Sequence, residues 1–438
     1  MSVPLDNLDH WINGLLSAPA ILYVFQPHGS KKISDLVWLT SYNYDSTYKL
    51  PSAILHDQEP LDWNSYNCPE EYINLDRWKK LNNLEIDNLR FEYSCNFNLK
   101  SMILALSSCM YDRDILIHSE KNSEDLIKYQ QNGFVGVHYW AHAVIARDWY
   151  RFAQFDTRLD AGTQPSHKFL IYCRDWSHRR EYRLKFLEML VENNLEQDSL
   201  TSVMHTNSDN VHFSQHRFSN PKFELANTES ISQIKNNTFS SATSADYDYS
   251  DFIDTEISVV LETVFDDSRI HLTEKTLRPI ACGHPFLLAA GPGSLEYIRS
   301  YGFKTFSPWI DESYDSETDS VKRLEKIISS MKQIQQLPGQ EFEDFLQAVK
   351  IIADYNKKHF FSDQFFDTLK SELKNNLDQA WKSVAQSRGK HYLELMRSIR
   401  RQNLMHQVPF RREKTQFIRQ LRQSYPVDRS NPQEDPAV

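Results

Sequence analysis

Residues 261–311, LETVFDDSRIHLTEKTLRPIACGHPFLLAAGPGSLEYIRSYGFKTFSPWID, set two strand-to-helix junctions in series. The apolar run 257–261, ISVVL, predicts a buried strand that ends at Glu262. A short loop then leads to Thr273-Glu274-Lys275-Thr276, where Thr273 is placed to cap a helix and Lys275 falls in its first turn. Gly283 ends that helix, and 285–290, PFLLAA, predicts a second buried strand. It runs into Gly291-Pro292-Gly293-Ser294, and Ser294 opens another helix that Gly302 closes. Four of the chain's eleven glycines lie in this stretch of about twenty residues, so the sharp turns are concentrated here.

A helix N-terminus carries about half a positive charge and free N–H groups, so it favours a phosphate, and a lysine in its first turn adds a full charge. Glu274 beside it can bind a ribose hydroxyl or hold the lysine in place. The alternative is a capped helix with a surface Glu-Lys pair. The Gly-Pro-Gly-Ser segment reads as a tight turn before it reads as a phosphate loop, and the chain contains no GxGxxG and no GxxxxGK[ST].

Upstream, 168–172, KFLIY, predicts the first strand of a second α/β unit, followed by Cys173-Arg174-Asp175-Trp176-Ser177-His178-Arg179-Arg180 and an amphipathic helix over 181–192. Arg174, Arg179, Arg180 and Arg183 form a cationic cluster where ligands of parallel sheets sit, and the guanidinium fork matches phosphate oxygens. A solvated helix start is the alternative, although basic residues there oppose the helix dipole.

The first half holds buried-strand signals at 20–25, 53–56, 102–106, 115–118 and 134–138, separated by helix-compatible stretches, which implies a mainly parallel sheet. Asp57, Glu59 and Glu120 each follow such a strand, where a partly desolvated carboxylate can act as a general base; Glu59 in His56-Asp57-Gln58-Glu59-Pro60 is the first choice. In 137–151, aromatics, histidines and arginines crowd together, which predicts aromatic packing between domains with Arg147, Asp148 and Arg151 near a cleft. His138 and His142 stand four apart without a third ligand, and the Asp-Tyr-Asp at 246–248 and Asp-Arg-Asp at 112–114 follow no clear strand, so no metal is expected.

At 438 residues, two domains are expected: 1–165, and 166–385 with a Ser/Asn-rich surface insertion near 208–254, followed by a basic helical tail at 386–438. No apolar run reaches the roughly 20 residues that span a bilayer, and the acidic N-terminus is unlike a secretory signal, so a cytoplasmic location is expected. Five cysteines without CxxC spacing read as free thiols. The net charge of −10 offers nucleic acid no general attraction and leaves the basic tail as the one candidate contact.

With both cationic clusters and this order of elements, the chain resembles glycosyltransferases of the GT-B fold, of the α1,3-fucosyltransferase-like group, over about 168–311. The matching residues are Leu272-Thr273-Glu274-Lys275, Gly283 and Pro285-Phe286, and phage-encoded proteins look similar across Pro292–Tyr297 and Asp311–Tyr314 as well. The resemblance implies two Rossmann-like domains. It also implies a nucleotide-sugar donor, GDP-linked by preference, with Lys275, Arg174 and Arg180 on its diphosphate, Glu274 on its ribose, and Thr273 and Glu262 nearby. A hexosyl- or fucosyltransferase of inverting, metal-independent type is expected, in the host cytoplasm if phage-encoded. Its acceptor is open among a glycan, a small metabolite and a hydroxylated DNA base. A non-catalytic nucleotide-sugar or glycan binder of the same fold is the alternative. The first domain matches only loosely, at Gln58-Glu59-Pro60, and the insertion and tail have no counterpart.

Overall fold

The computed structural model describes residues 21–25, 52–56, 60–61, 115–131, 134–160, 164–207, 210–236 and 244–388. They fall into two compact units. One comprises Ser119–Glu124 and Trp140–Lys370; the other holds the described residues up to His118, Asp125–Tyr139, and those from Ser371. The division thus falls ahead of the residue 166 expected from sequence, and six residues of the earlier stretch belong with the later unit.

The sheet of the second unit has four parallel strands in the order β1 (Ile21–Phe25), β2 (Ser52–His56), β3 (Ile115–His118) and β4 (Val135–His138). Helix α1 (Glu124–Gln131) connects β3 to β4. These four strands match the sequence expectation; 102–106 lies outside the described residues.

The other unit carries β5 (His167–Cys173), β6 (Ser199–Val203), β7 (Thr255–Leu261) and β8 (Phe286–Ala289), all parallel, in the spatial order β6-β5-β7-β8. Every residue of β7 is buried, as an inner parallel strand covered on both faces requires. β6, SLTSV, buries alternate residues at the sheet edge, and its small polar composition gives no strand signal in the sequence. The helices of this unit are α2 (Ala141–Trp149), α3 (Tyr182–Glu192), α4 (Thr228–Ile231), α5 (Tyr249–Ile253), α6 (Glu274–Cys282), α7 (Ser294–Ser300), α8 (Ser320–Gln335) and α9 (Gly339–Phe361). α10 (Asp363–Arg388) begins there and continues past Ser371. The chain is therefore α/β, with two parallel sheets among the described residues.

Two expectations are corrected. The described part of 208–254 is not a mere surface insertion, because Phe213, Phe223, Ile231, Ile234 and Phe252 are buried. Its Asn and Asp content reflects short helices, with Asn220, Asn227 and Asp248 as side-chain N-caps. Asp248 of the Asp-Tyr-Asp motif is one of these caps. The block around α2 packs inside one unit. The indole N–H of Trp140 donates to the Leu272 carbonyl at 2.9 Å, and its ring lies 5.1 and 4.9 Å from those of Tyr297 and Tyr301. Arg147 is buried and donates to the carbonyls of Phe360, Phe361 and Ser362, closing the end of α9, so it does not face a cleft.

Among the described residues no helix is long and apolar enough to cross a membrane. Cys173 and Cys282 are buried free thiols, and burial pushes the Cys173 thiol up to about 12, which leaves it a poor nucleophile. The basic tail beyond 388, the remaining cysteines and the Asp-Arg-Asp at 112–114 lie outside the described residues.

Candidate functional site

In the β6-β5-β7-β8 sheet the chain runs from β5 outward to β6, then crosses back to β7 on the other side of β5. The carboxyl ends of β5 and β7 therefore flank a topological switch point, where α/β sheets leave a crevice for ligands. Their register pairs Ile171 with Val259, which sets Arg174 and Glu262, each one residue past its strand, at the heads of neighbouring loops. The described strands of the other sheet run in sequence order and have no such reversal.

Arg183 ties the two loops together. It is 2% exposed, and its guanidinium donates to the Asp175 carbonyl and to those of Leu261 at 2.7 Å and Glu262 at 3.0 Å. The Tyr182 hydroxyl also donates to the Glu262 carbonyl, at 2.6 Å. The sequence groups Arg183 with the ligand-facing arginines, whereas the fold makes it an internal strut.

Glu262 is fully buried and organises the start of α6. Its Oε1 accepts from the Thr273 N–H at 2.9 Å, the Thr276 N–H at 3.2 Å and the Thr276 hydroxyl at 2.6 Å. Its Oε2 accepts from the Thr273 hydroxyl at 2.8 Å and the Thr263 N–H at 3.3 Å. The anion that this helix N-terminus attracts is thus already supplied by the preceding strand. Thr273 is the N-cap expected from sequence, its Oγ1 accepting the Lys275 N–H at 3.3 Å.

Lys275 remains partly exposed, its ammonium 2.8 Å from Glu274 Oε1 and 3.2 Å from Thr273 Oγ1. Glu274 holds the lysine in place. Burial works to raise its carboxyl, but Lys275 and His142 keep it well below the usual carboxylate range. His142 Nδ1 lies 3.6 Å from Glu274 Oε2, and its ring meets that of His271 edge-on at 5.2 Å. His271 Nδ1 lies 4.0 Å from Glu120 Oε1, and Glu120 pairs with Arg269 at 3.3 Å. Arg269 in turn binds Asp267 through Nε at 2.7 Å, and Asp267 is 3.4 Å from Arg179. Alternating charges and imidazoles therefore run from Lys275 to Arg179. Sequence reasoning weighed His142 only as a metal ligand beside His138 and passed over Arg269 and His271, because α2 and the loop before α6 that meet here lie far apart in the chain.

Glu120 is consequently an ion-paired carboxylate at 1% exposure, held by the antiparallel bridge between Lys121 and Ile270. Asp57 and Glu59 lie outside the described residues. Arg174 is exposed; Arg180 is half-buried and pairs with Asp175 at 3.2 Å. A cleft of about 290 Å³ is lined by residues that include His178, Arg179, Asn220, Phe265, Asp266 and Asp267. His178 holds φ at +53°, an uncommon conformation for a residue with a side chain, and one that clusters at functional sites. Glu181 shapes one wall of the cleft, accepting from the Ser219 N–H at 2.7 Å and the Asn220 N–H at 2.9 Å.

The glycine turn proves structural. A Cβ on Gly291 would stand 2.6 Å from the Arg269 carbonyl oxygen, so the close approach is to the backbone of the loop between β7 and α6. Among the described residues no group of three or more His, Cys, Asp or Glu is arranged to hold a metal ion. No family model, no curated protein and no solved structure matches the chain.

Proposed function

We propose that this protein is a glycosyltransferase that moves a sugar from a nucleotide-sugar donor to an acceptor hydroxyl, each parallel sheet forming the core of one Rossmann-like lobe of a GT-B enzyme. The observation that carries the reading is the sheet's switch point, with Arg174, Arg179 and Arg180 past β5 and Lys275 in the loop-and-helix segment past β7. A nucleotide sugar combines a diphosphate with hydroxyls, and this edge combines cations with carboxylates. Arg174, Arg180 and Lys275 stabilise the charge that builds on the leaving diphosphate, which is the role a divalent cation plays elsewhere. Glu274 fixes the lysine, and Glu262, Thr273 and Arg183 fix the loops. The base of an inverting transfer is then Glu59 or Asp57, since Glu120 is engaged by Arg269.

That engagement favours a second reading, a binder of the same fold that has no base and consumes nothing. A thermal-shift series of nucleoside diphosphates, GDP first, followed by chromatography of candidate nucleotide sugars, tests both. A ligand at 100 times its dissociation constant adds about 2.7 kcal/mol of stability. Lys275→Ala should weaken diphosphate binding by roughly 10- to 100-fold, the worth of one charged hydrogen bond. Unchanged affinity in that variant removes the assignment; binding without any donor turnover selects the second reading.

A further inference from the structure

The segments that follow β5 and β7 carry the carboxylates Asp175, Glu181, Glu262, Asp266, Asp267 and Glu274, and all but one are engaged on both oxygens. Asp175 accepts from the Ser177 N–H and hydroxyl on Oδ1 and from Arg180 on Oδ2. Glu181 Oε1 faces His216 at 2.8 Å and accepts from the Ser219 N–H, and its Oε2 accepts from the Ser219 hydroxyl and the Asn220 N–H. Asp267 accepts from the Arg269 N–H at 3.0 Å on Oδ1, and from Arg269 Nε at 2.7 Å and Arg179 at 3.4 Å on Oδ2. Glu262 is held by the start of α6, and Glu274 is divided between Lys275 and His142. Asp266 is the exception. The Asn220 amide donates to its Oδ2, but its Oδ1 meets only the Lys222 ammonium among the described residues, at 4.0 Å and beyond hydrogen-bond reach.

Asp266 lines the cleft of about 290 Å³, to which Phe223, Val264 and Phe265 contribute apolar surface. That volume lies at the small end of ligand sites, which run to roughly 300–1,000 Å³, so it suits one part of a nucleotide. The Phe265 ring is stacked on Tyr182 at 4.1 Å and has the Arg323 guanidinium 4.3 Å from its centroid, so both of its faces are taken and it offers a base no stacking platform. A carboxylate has about four lone-pair sites, so Asp266 can accept from two further donors while keeping Asn220.

We propose that this cleft receives the ribose of the donor nucleotide and that Asp266 accepts from its 2′ and 3′ hydroxyls, which makes Asp266 the residue that selects a ribonucleotide over a deoxyribonucleotide. The assignment rests on the nucleotide-sugar reading above and moves the ribose contact away from Glu274, whose oxygens serve Lys275 and His142. Arg179, on the same cleft, supplies a cation beside the ribose where the diphosphate begins.

Calorimetric titration of the full-length protein with ADP, GDP, CDP and UDP at one pH finds the nucleotide that binds, and its 2′-deoxy counterpart is then the probe. The ratio of dissociation constants, deoxy over ribo, should be roughly 10 in the wild type, the low end for a hydrogen bond to a charged group because the Asp266 side chain is 28% exposed. In Asp266→Ala the ratio should fall to about one. Glu274→Gln should weaken both nucleotides alike and leave the ratio at its wild-type value. Equal binding of the two nucleotides by the wild type overturns the proposal however the variants fold. So does a ratio that survives in Asp266→Ala, and a ratio that collapses in Glu274→Gln returns the ribose to that residue. Nucleotide binding without this discrimination leaves the nucleotide-sugar reading standing, whereas no binding of any of the four removes both.

Discussion

A buried carboxylate with five donors around it cannot be replaced quietly, and Glu262 has that environment. Glu262→Ala leaves the N–H groups of Thr263, Thr273 and Thr276 without their acceptor in a site closed to water. It should cost about 3 to 5 kcal/mol of stability, measured by denaturant unfolding, with Glu262→Gln milder because its amide oxygen keeps some of the bonds. A loss below about 1 kcal/mol for the alanine variant would show that the start of α6 does not depend on this carboxylate. The sequence made Thr273 and Lys275 legible because helix capping follows local spacing. It left Glu262 and Arg183 looking like ligand contacts, since a charged residue that satisfies backbone carbonyls or N–H groups has the same letter as one that meets a phosphate. Only the burial of both, Glu262 at 0% and Arg183 at 2%, separates the two uses.

At the scale of elements, the loop between β7 and α6 is set by what packs on it. Gly291 admits the Arg269 carbonyl at 2.6 Å from where a Cβ would stand, and that neighbour is backbone, which cannot swing aside. Gly291→Ala should therefore displace 267–269 and cost about 1 to 3 kcal/mol, whereas Gly339→Ala, with nothing within 4 Å and a place in the first turn of α9, should be neutral or slightly stabilising. Denaturant midpoints of the two variants, with amide exchange at Lys121 and Ile270 for the first, check this; equal midpoints would remove the packing argument. The strands and helices were readable where apolar residues ran together or recurred at helical spacing, as in β7 and α3. β6 was not, because an edge strand of Ser, Leu, Thr, Ser and Val buries side chains too small and polar to register as a core segment. The short helices of 210–254 hid behind their own caps, whose Asn and Asp residues read as loop.

For the molecule as a whole, two parallel sheets were legible, but the division into units was not, because Ser119–Glu124 joins a unit whose other residues begin at Trp140. No linear boundary can express such an exchange. The same interleaving brings Glu120 to Arg269, which is why a residue read as a base appears as part of an ion pair. Acid unfolding of the whole chain sums opposed contributions, since Asp251, Glu312 and Asp315 are raised by burial whereas Asp175, Glu181 and Glu274 are lowered. His284 allows a clean comparison. Its Nε2–H donates to the Thr255 carbonyl at 3.0 Å and its Nδ1 accepts from the Ser258 hydroxyl at 2.8 Å, and burial lowers its pKa to about 4. Between the unfolded value near 6.5 and about 4, the unfolded chain holds a proton that the folded one refuses, so this residue's contribution is present at neutral pH and lost as pH falls. Relative to His284→Gln, which does not titrate, the wild type should lose about 3 kcal/mol between pH 7 and pH 4. Urea unfolding of both proteins across that interval measures the difference, in which the carboxylates they share cancel; a difference that stays constant with pH would mean that His284 is protonated in the fold.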